Sequence, residues 1–153
     1  MDSFKIAGKV KLDCYKPDGS LKWTSGWISN GITNAGFAQL ALLAGDASAT
    51  PFTYLAVGTS STAFAASQTA LVAETVTNGL ERAAATVSRV TTTQTNDTLQ
   101  LVKTWTATGT IIVEEIGIFN ASSAGTMLGR ALTTTKTVVS GETLTGTYKV
   151  KFA

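Results

Sequence analysis

The sequence predicts an all-β fold, either a β-sandwich of jelly-roll-like form or a barrel, with one short α-helix. Residues 4–15 and 143–152 alternate between apolar and polar side chains, which is the period of a half-buried strand. The chain contains 27 threonines, and these β-branched residues fit the exposed face of a pleated sheet. Because 153 residues is the size of one domain, we expect a single β-rich structural domain over residues 1–153.

Residues 1–30 are predicted to form an N-terminal β-hairpin. The strand over 4–15 is followed by the turn sequence Lys-Pro-Asp-Gly at 16–19, in which proline fixes φ and glycine accepts a positive φ. The chain then returns through Trp23 and Trp27, which are expected to share a strand face. Core packing and a role as interface anchors are both open for these two tryptophans.

A helix is predicted over residues 34–44. Thr33 is suited to cap its N-terminus, because a threonine hydroxyl accepts a hydrogen bond from a free backbone N–H group there. One apolar stripe with helical spacing is expected to lie against the sheet, formed by Phe37, Leu40, Ala41 and Ala44.

Residues 59–76 show no sustained period and follow a short apolar strand at 53–57. A loop of this length inside a compact domain is usually functional or mobile. It is either a contact arm or a loop packed by Phe64 and Leu71.

Residues 80–153 are expected to supply the main strands. Short strands separated by turn residues are typical of sandwiches and barrels. The predicted strands span residues 82–90, 99–107, 110–119, 126–132, 136–139 and 143–152.

The sequence argues against an enzyme. It contains no histidine, which removes the commonest general base and the commonest metal ligand. The adjacent Glu114 and Glu115 lie in a strand pattern, whose alternation would place them on opposite faces. No phosphate-binding or hydrolase motif is present, and the lone Cys14 is expected to be a core thiol. We therefore expect no catalytic residue, no cofactor and no metal site.

Apolar residues flank the adjacent Glu114 and Glu115, so one of the two carboxylates is expected to face the core, and Glu115 is the candidate. A buried carboxylate requires a partner. Either an Arg82–Glu115 or an Arg130–Glu115 ion pair would fix the strand register. The alternative is a solvated glutamate at a sheet edge.

The charge pattern limits the possible partners. The formal charge is +2 without a tract of basic residues, so we expect no nucleic-acid partner. No stretch approaches the ~18 apolar residues of a membrane span, and the N-terminus lacks the apolar run of a signal peptide. Candidate contact residues are Lys5, Lys9 and Lys11 of the first strand and Phe64 of the long loop. A solvated strand face or a protected sheet edge also explains the lysines, and it is the favoured explanation.

Several segments together resemble structural proteins of tailed bacteriophages. They are NGITNAG at 30–36, YLAVGT at 54–59, Arg82, EIGIFN at 115–120 and GTML at 125–128. Their order is similar to that in the virion-attachment region of tail-collar fibre proteins. It also resembles stand-alone proteins of about this length that are encoded near phage head genes and often labelled as tail fibre proteins.

The resemblance implies a virion component without catalysis, made in the host cytoplasm. Because the chain ends at Ala153 directly after a strand, without a fibre shaft, a capsid decoration (cement) protein is favoured. Its partners would be copies of itself, with a trimer favoured, and the phage major capsid protein on the outer capsid surface. The alternative is a small tail or baseplate protein, or a tail-fibre adaptor involved in host attachment.

Overall fold

Two antiparallel β-sheets and one short helix make up the structure, a computed structural model that describes residues 5–153. The all-β prediction with one short helix is therefore confirmed. In chain order the elements are β1 (Ile6–Tyr15), β2 (Leu21–Thr24), β3 (Ile28–Ser29), β4 (Gly31–Ile32), α1 (Asn34–Gly45), β5 (Tyr54–Gly58), β6 (Ala83–Ala84), β7 (Thr86–Val90), β8 (Thr98–Thr106), β9 (Ile111–Phe119), β10 (Met127–Val138) and β11 (Thr143–Phe152).

The first sheet has the strand order β2-β1-β11-β8-β7, with β3 also pairing with β1. The second sheet has the order β4-β10-β9-β5-β6. The two strands that alternate most clearly in sequence, β1 and β11, pair along their whole length, from Ile6 opposite Phe152 to Tyr15 opposite Thr143. They lie in the interior of the first sheet, where a strand has a partner on both sides.

The main core lies between the sheets and takes side chains from both. Leu12 and Tyr148 of the first sheet and Ile116 and Ile118 of the second are fully buried. Burying each such side chain contributes about 1.5–3 kcal/mol. The hydroxyl of Tyr148 is hydrogen-bonded to the side chain of Asn30, and burial raises the pKa of Tyr148 above its usual range.

Strand boundaries differ from the sequence prediction where the chain changes sheets. The strand predicted over 82–90 divides at Ala85, so that β6 joins the second sheet and β7 joins the first. The strands predicted over 126–132 and 136–139 form one strand, β10, whose register shifts between Leu132 and Lys136. Pairing partners decide both outcomes, because local sequence does not show which sheet a strand joins.

The N-terminal hairpin is also subdivided. Its returning arm forms β2 and β3 against β1, and β4 then crosses to the second sheet by pairing with β10. Phe4, the first residue of the predicted strand, lies outside the described residues.

The helix begins as predicted, because the Oγ1 atom of Thr33 accepts a hydrogen bond from the N–H group of Gly36 at 2.8 Å. The expected packing of its apolar stripe is wrong in part. Gly36 is the buried residue of α1 and rests against Leu128 of β10, whereas Phe37 of the stripe is 49% exposed. Because α1 is apolar on all sides, helical spacing alone does not identify its packing face.

Candidate functional site

Glu115 and Arg130 form a fully buried ion pair on the outer face of the second sheet. The Nε atom of Arg130 lies 2.5 Å from the Oε2 atom of Glu115, and both side chains have zero exposure. Arg130 lies opposite Gly117, two residues along β9 from Glu115. Of the two arginine partners open from the sequence, the structure therefore brings Arg130 to Glu115.

This ion pair also binds the long loop over the sheet. The carboxylate of Glu115 accepts hydrogen bonds from the N–H groups of Ala73 at 2.8 Å and Val72 at 3.2 Å. Arg130 donates to the carbonyl oxygen of Thr62 at 2.7 Å. The loop thus supplies the extra partners that a buried ion pair needs, and the ion pair holds both ends of residues 62–73.

Arg82 pairs with a different glutamate. Its Nε and Nη2 atoms lie 2.8 and 2.6 Å from the two carboxylate oxygens of Glu74, a bidentate geometry. The guanidinium also lies 3.6 Å from the ring centre of Phe119 and donates to the carbonyl oxygens of Ala121 and Ala124. This second pair fastens the far end of the loop to β9 and to the turn after it.

Apolar contacts complete the packing of the loop. Leu71 is buried with Phe119 and Met127 in a small second core outside the second sheet. Phe64 is half-buried. Its ring packs directly against Gly31, in the space that a side chain at position 31 would need. Phe64 is thus a packing residue of the loop in the isolated chain, with part of its ring accessible.

Glu114 and Glu115 do not share a partner. Glu114 is half-exposed and accepts a hydrogen bond from Thr135 at 2.6 Å. Val113 and Ile116 on either side both lie in the main core, so the alternation of β9 is interrupted at the two glutamates. This irregularity of β9 lies beside the register shift of β10. The carboxylate of Glu115 is buried there, whereas that of Glu114 is half-exposed.

The exposed side of α1 forms an apolar groove of about 470 Å³. The helix contains no charged residue, and its Phe37 and Leu42 are 49% and 48% exposed. Ile6 and Phe152, at the paired ends of β1 and β11, form the opposite wall. The stripe expected to face the sheet lines this groove together with them: Phe37, Leu40, Ala41 and Ala44.

The predicted lysines lie along the first sheet. Lys5 precedes β1 and is exposed, as is Lys9, whereas Lys11 is half-buried beside Asp13 at 3.4 Å. The sequence did not connect Lys9 with Lys149 of β11, although the structure places them directly opposite each other. The alternation of β11 predicts that Lys149 faces outward. The sequence does not show that β11 pairs with β1.

The two tryptophans have different environments. Trp23 packs partly against the main core, and its Nε1 atom donates to the carbonyl oxygen of Thr137 at 2.9 Å. Trp27 is 46% exposed and lies near the ammonium groups of Lys11 and Lys149. Core packing therefore describes Trp23, and Trp27 belongs to the surface.

Cys14 and Glu142 are two further titratable groups, and their side chains lie 3.6 Å apart. Cys14 is fully buried, and burial together with the nearby charge of Glu142 raises the pKa of its thiol to about 11. Burial acts to raise the pKa of Glu142, but hydrogen bonds from the Val139 N–H group and from Lys22 outweigh it and lower that pKa. In residues 5–153, no cluster of three or more Cys, Asp or Glu side chains could hold a metal ion. The described part of the chain also has no helix long and apolar enough to cross a membrane.

Comparison with known proteins returned no matching family model, no matching curated protein and no matching solved structure.

Proposed function

We propose that this chain is a non-enzymatic structural protein of a tailed bacteriophage particle, and specifically a capsid decoration protein that stabilises the head. The ordered motifs at 30–36, 54–59 and 115–120 support the phage setting through their resemblance to virion proteins. The exposed apolar groove of α1 supports a function in assembly, and it is the observation that carries this part of the proposal.

A helix that is apolar on all sides is normally buried. Here α1 leaves Phe37 about half exposed, and the apolar surface continues across the groove to Ile6 and Phe152. Contiguous apolar patches on soluble proteins commonly mark interaction sites. Covering this groove with another protein chain would remove its apolar surface from water.

A second copy of this chain is the occupant that fits the groove. Because α1 carries no charge, two copies can bring their helices together without repulsion or a buried unpaired charge. Ala41 and Ala44 are small enough to let a neighbouring helix approach closely. We infer a homo-oligomer with α1 at its contacts. In a closed trimer every copy would bury its groove in the same type of interface.

The fastened loop contributes rigidity to such an assembly. The ion pairs of Glu115 and Glu74 hold residues 59–82 on the second sheet. Another subunit that binds this face therefore does not have to immobilise the loop. Association is weakened by the entropy of ordering loops. A preordered surface is therefore suited to a protein that acts by bridging other subunits.

A decoration protein works by burying surface at junctions between capsid subunits. Specific interfaces of about 1,200–2,000 Å² are ordinary, and an oligomer that binds several junctions at once gains further affinity through multivalency. The alternative is a tail or baseplate protein, or a tail-fibre adaptor, since the same ordered segments also resemble the attachment region of tail-collar fibres.

The oligomer is tested by light scattering on the purified chain. We expect wild type to be oligomeric and Ala44→Lys, at an exposed residue that lines the groove, to be monomeric at the same concentration. A lysine in the last helical turn complements the helix dipole, so the variant should remain folded. Ile112→Lys is the matched control, because Ile112 is 47% exposed on β9 and away from the groove. A monomeric wild type, or an oligomer that Ala44→Lys leaves intact, would contradict contact through the groove of α1.

The place in the particle is tested by cryo-electron microscopy of assembled virions. Density for this chain repeated over the outer capsid surface at symmetry axes would establish decoration. Density confined to the tail or baseplate would reject the cement function and support the adaptor.

A further inference from the structure

We infer that the outer face of the first sheet is a docking surface for a carboxylate-rich patch on a partner protein. The surface is formed by Lys9 and Lys11 of β1 and by Lys149 and Lys151 of β11. Lys9 lies directly opposite Lys149, with Lys11 opposite Thr147 and Lys151 opposite Ala7. We call these four residues the lysine cluster. The inference deepens the proposed function, and it rests on that function only in taking the partner to be a protein.

The charges of the lysine cluster are not balanced within the described chain. Lys11 lies 3.4 Å from Asp13, whereas Lys9, Lys149 and Lys151 form no ion pair with any carboxylate of residues 5–153. Like charges directly opposite each other on neighbouring strands are destabilising. The Lys9–Lys149 pair therefore does not help the isolated molecule to fold, and an anionic partner would relieve the repulsion.

Protection of a sheet edge does not explain the cluster. Lysines on edge strands discourage pairing with other chains, but β11 lies between β1 and β8, and β1 is paired with β11 on one side and with β3 at Lys9 on the other. The cluster occupies the middle of the sheet, where the backbone is already paired. Its side chains are available to contact a partner over a flat surface.

Trp27 supplies an aromatic contact within the cluster. Its ring centre lies 5.3 Å from the ammonium nitrogen of Lys11 and 5.1 Å from that of Lys149, while 46% of the residue remains exposed. A groove of about 350 Å³ runs beside Trp27 between the lysines and Thr98. Tryptophan is one of the residues that most often contribute strongly to binding at protein interfaces.

The geometry favours carboxylates of a protein over a nucleic-acid backbone. Neighbouring strands are about 4.8 Å apart and residues i and i+2 about 6.8 Å apart, so the cluster is a compact patch and not a long stripe. It also contains no arginine, the residue that best matches phosphate in bidentate contacts. Arg82 and Arg130 are paired with Glu74 of the loop and Glu115 of β9, and Arg89 lies on β7 at the edge of the first sheet.

The test is isothermal titration calorimetry, which measures binding of the full chain to a synthetic glutamate-rich peptide at low and at physiological salt. We expect binding that weakens as salt is added, because exposed charge pairs are screened. Lys9→Glu should weaken it at least tenfold. This substitution places a glutamate opposite Lys149, and opposite charges across strands are favourable, so the melting temperature should not fall.

Lys16→Glu is the matched control, since it makes the same charge change at an exposed turn residue, and it should bind the peptide nearly as well as wild type. Trp27→Ala should weaken binding without changing the charge. Absence of peptide binding, or equal losses in Lys9→Glu and Lys16→Glu, would overturn the inference. Tighter binding of a single-stranded oligonucleotide of equal charge at the same salt would overturn the assignment of a protein partner. None of these results depends on where the chain lies in a virion, so failure of this inference is distinguishable from failure of the decoration function.

Discussion

The carboxylate of Glu115 and the guanidinium of Arg130 lie 2.5 Å apart, and neither is exposed to solvent. The pair is outside the main core, between the second sheet and the loop that crosses it. Moving two charges out of water is unfavourable, and their attraction together with added hydrogen bonds offsets this only while both are present. The loop and the ion pair are therefore mutually dependent.

Replacing Glu115 with alanine should lower the free energy of unfolding by about 3–5 kcal/mol, because it leaves the Arg130 guanidinium buried and unpaired. Urea denaturation followed by circular dichroism measures the change. Glu114→Ala is the control on the neighbouring residue, and it should lower stability by no more than about 1 kcal/mol, since Glu114 is half-exposed. Equal effects of the two substitutions would show that burial of the Glu115 pair does not determine stability.

Gly36 should not tolerate alanine, although alanine is the best helix former. A Cβ atom at Gly36 would lie 2.8 Å from the Cα atom of Leu128 and closer still to its carbonyl oxygen. We expect Gly36→Ala to destabilise the protein by about 1–3 kcal/mol, as overpacking usually does. Gly45→Ala, in the same helix with open space around it, should be neutral or stabilising by up to about 1 kcal/mol. Chemical denaturation of both variants tests the difference, and a stabilised Gly36→Ala would contradict close packing of α1 on β10.

The period of two in β1 and β11 was sufficient to predict those strands, because their inner residues all face one core. The change of sheet at Ala85 was not predictable, since it depends on the separate pairing of β6 with β5 and of β7 with β8. The helix showed its capping residue clearly, but its packing face depends on the fit of Gly36 against β10.

The residues of the candidate sites were also only partly predictable, because their partners depend on how the strands pair. Burial of one glutamate followed from the apolar residues that flank Glu114 and Glu115, but the choice between Arg82 and Arg130 depended on the register of β10 against β9. Glu74, the partner of Arg82, lies in a segment without period, so no sequence signal identified it. Lys9 was visible as an outward residue, whereas its position opposite Lys149 required the fold.

Cys14 should be unreactive in the folded protein. Its thiol is fully buried, lies 3.6 Å from a carboxylate oxygen of Glu142, and has its pKa raised to about 11 by burial and by that charge. Because the thiolate is the reactive form, a thiol reagent at pH 8 should modify Cys14 only as fast as the native protein unfolds locally around it. The same reagent should modify the single cysteine completely in denaturant. Rapid stoichiometric reaction of the native protein would contradict a closed core at β1.

Asp97 should make the loop before β8 sensitive to acid. Its carboxylate accepts hydrogen bonds from the N–H groups of Gln94, Thr92 and Thr93 at 2.8, 2.9 and 2.8 Å, and the bond from Gln94 contributes most to a lowered pKa. A carboxyl group whose pKa is lower in the folded state stabilises that state above its unfolded pKa of about 3.9 and loses this contribution as pH falls. Asp97→Asn should therefore be less stable than wild type at pH 7, and the difference should shrink below about pH 4. Denaturation curves of both proteins at pH 7, 4 and 3 measure this, with Glu114→Gln as a control at a carboxylate whose hydrogen bond comes from the Thr135 hydroxyl and not from backbone N–H groups. A difference that stays constant over this range would show that the charge of Asp97 does not hold the loop.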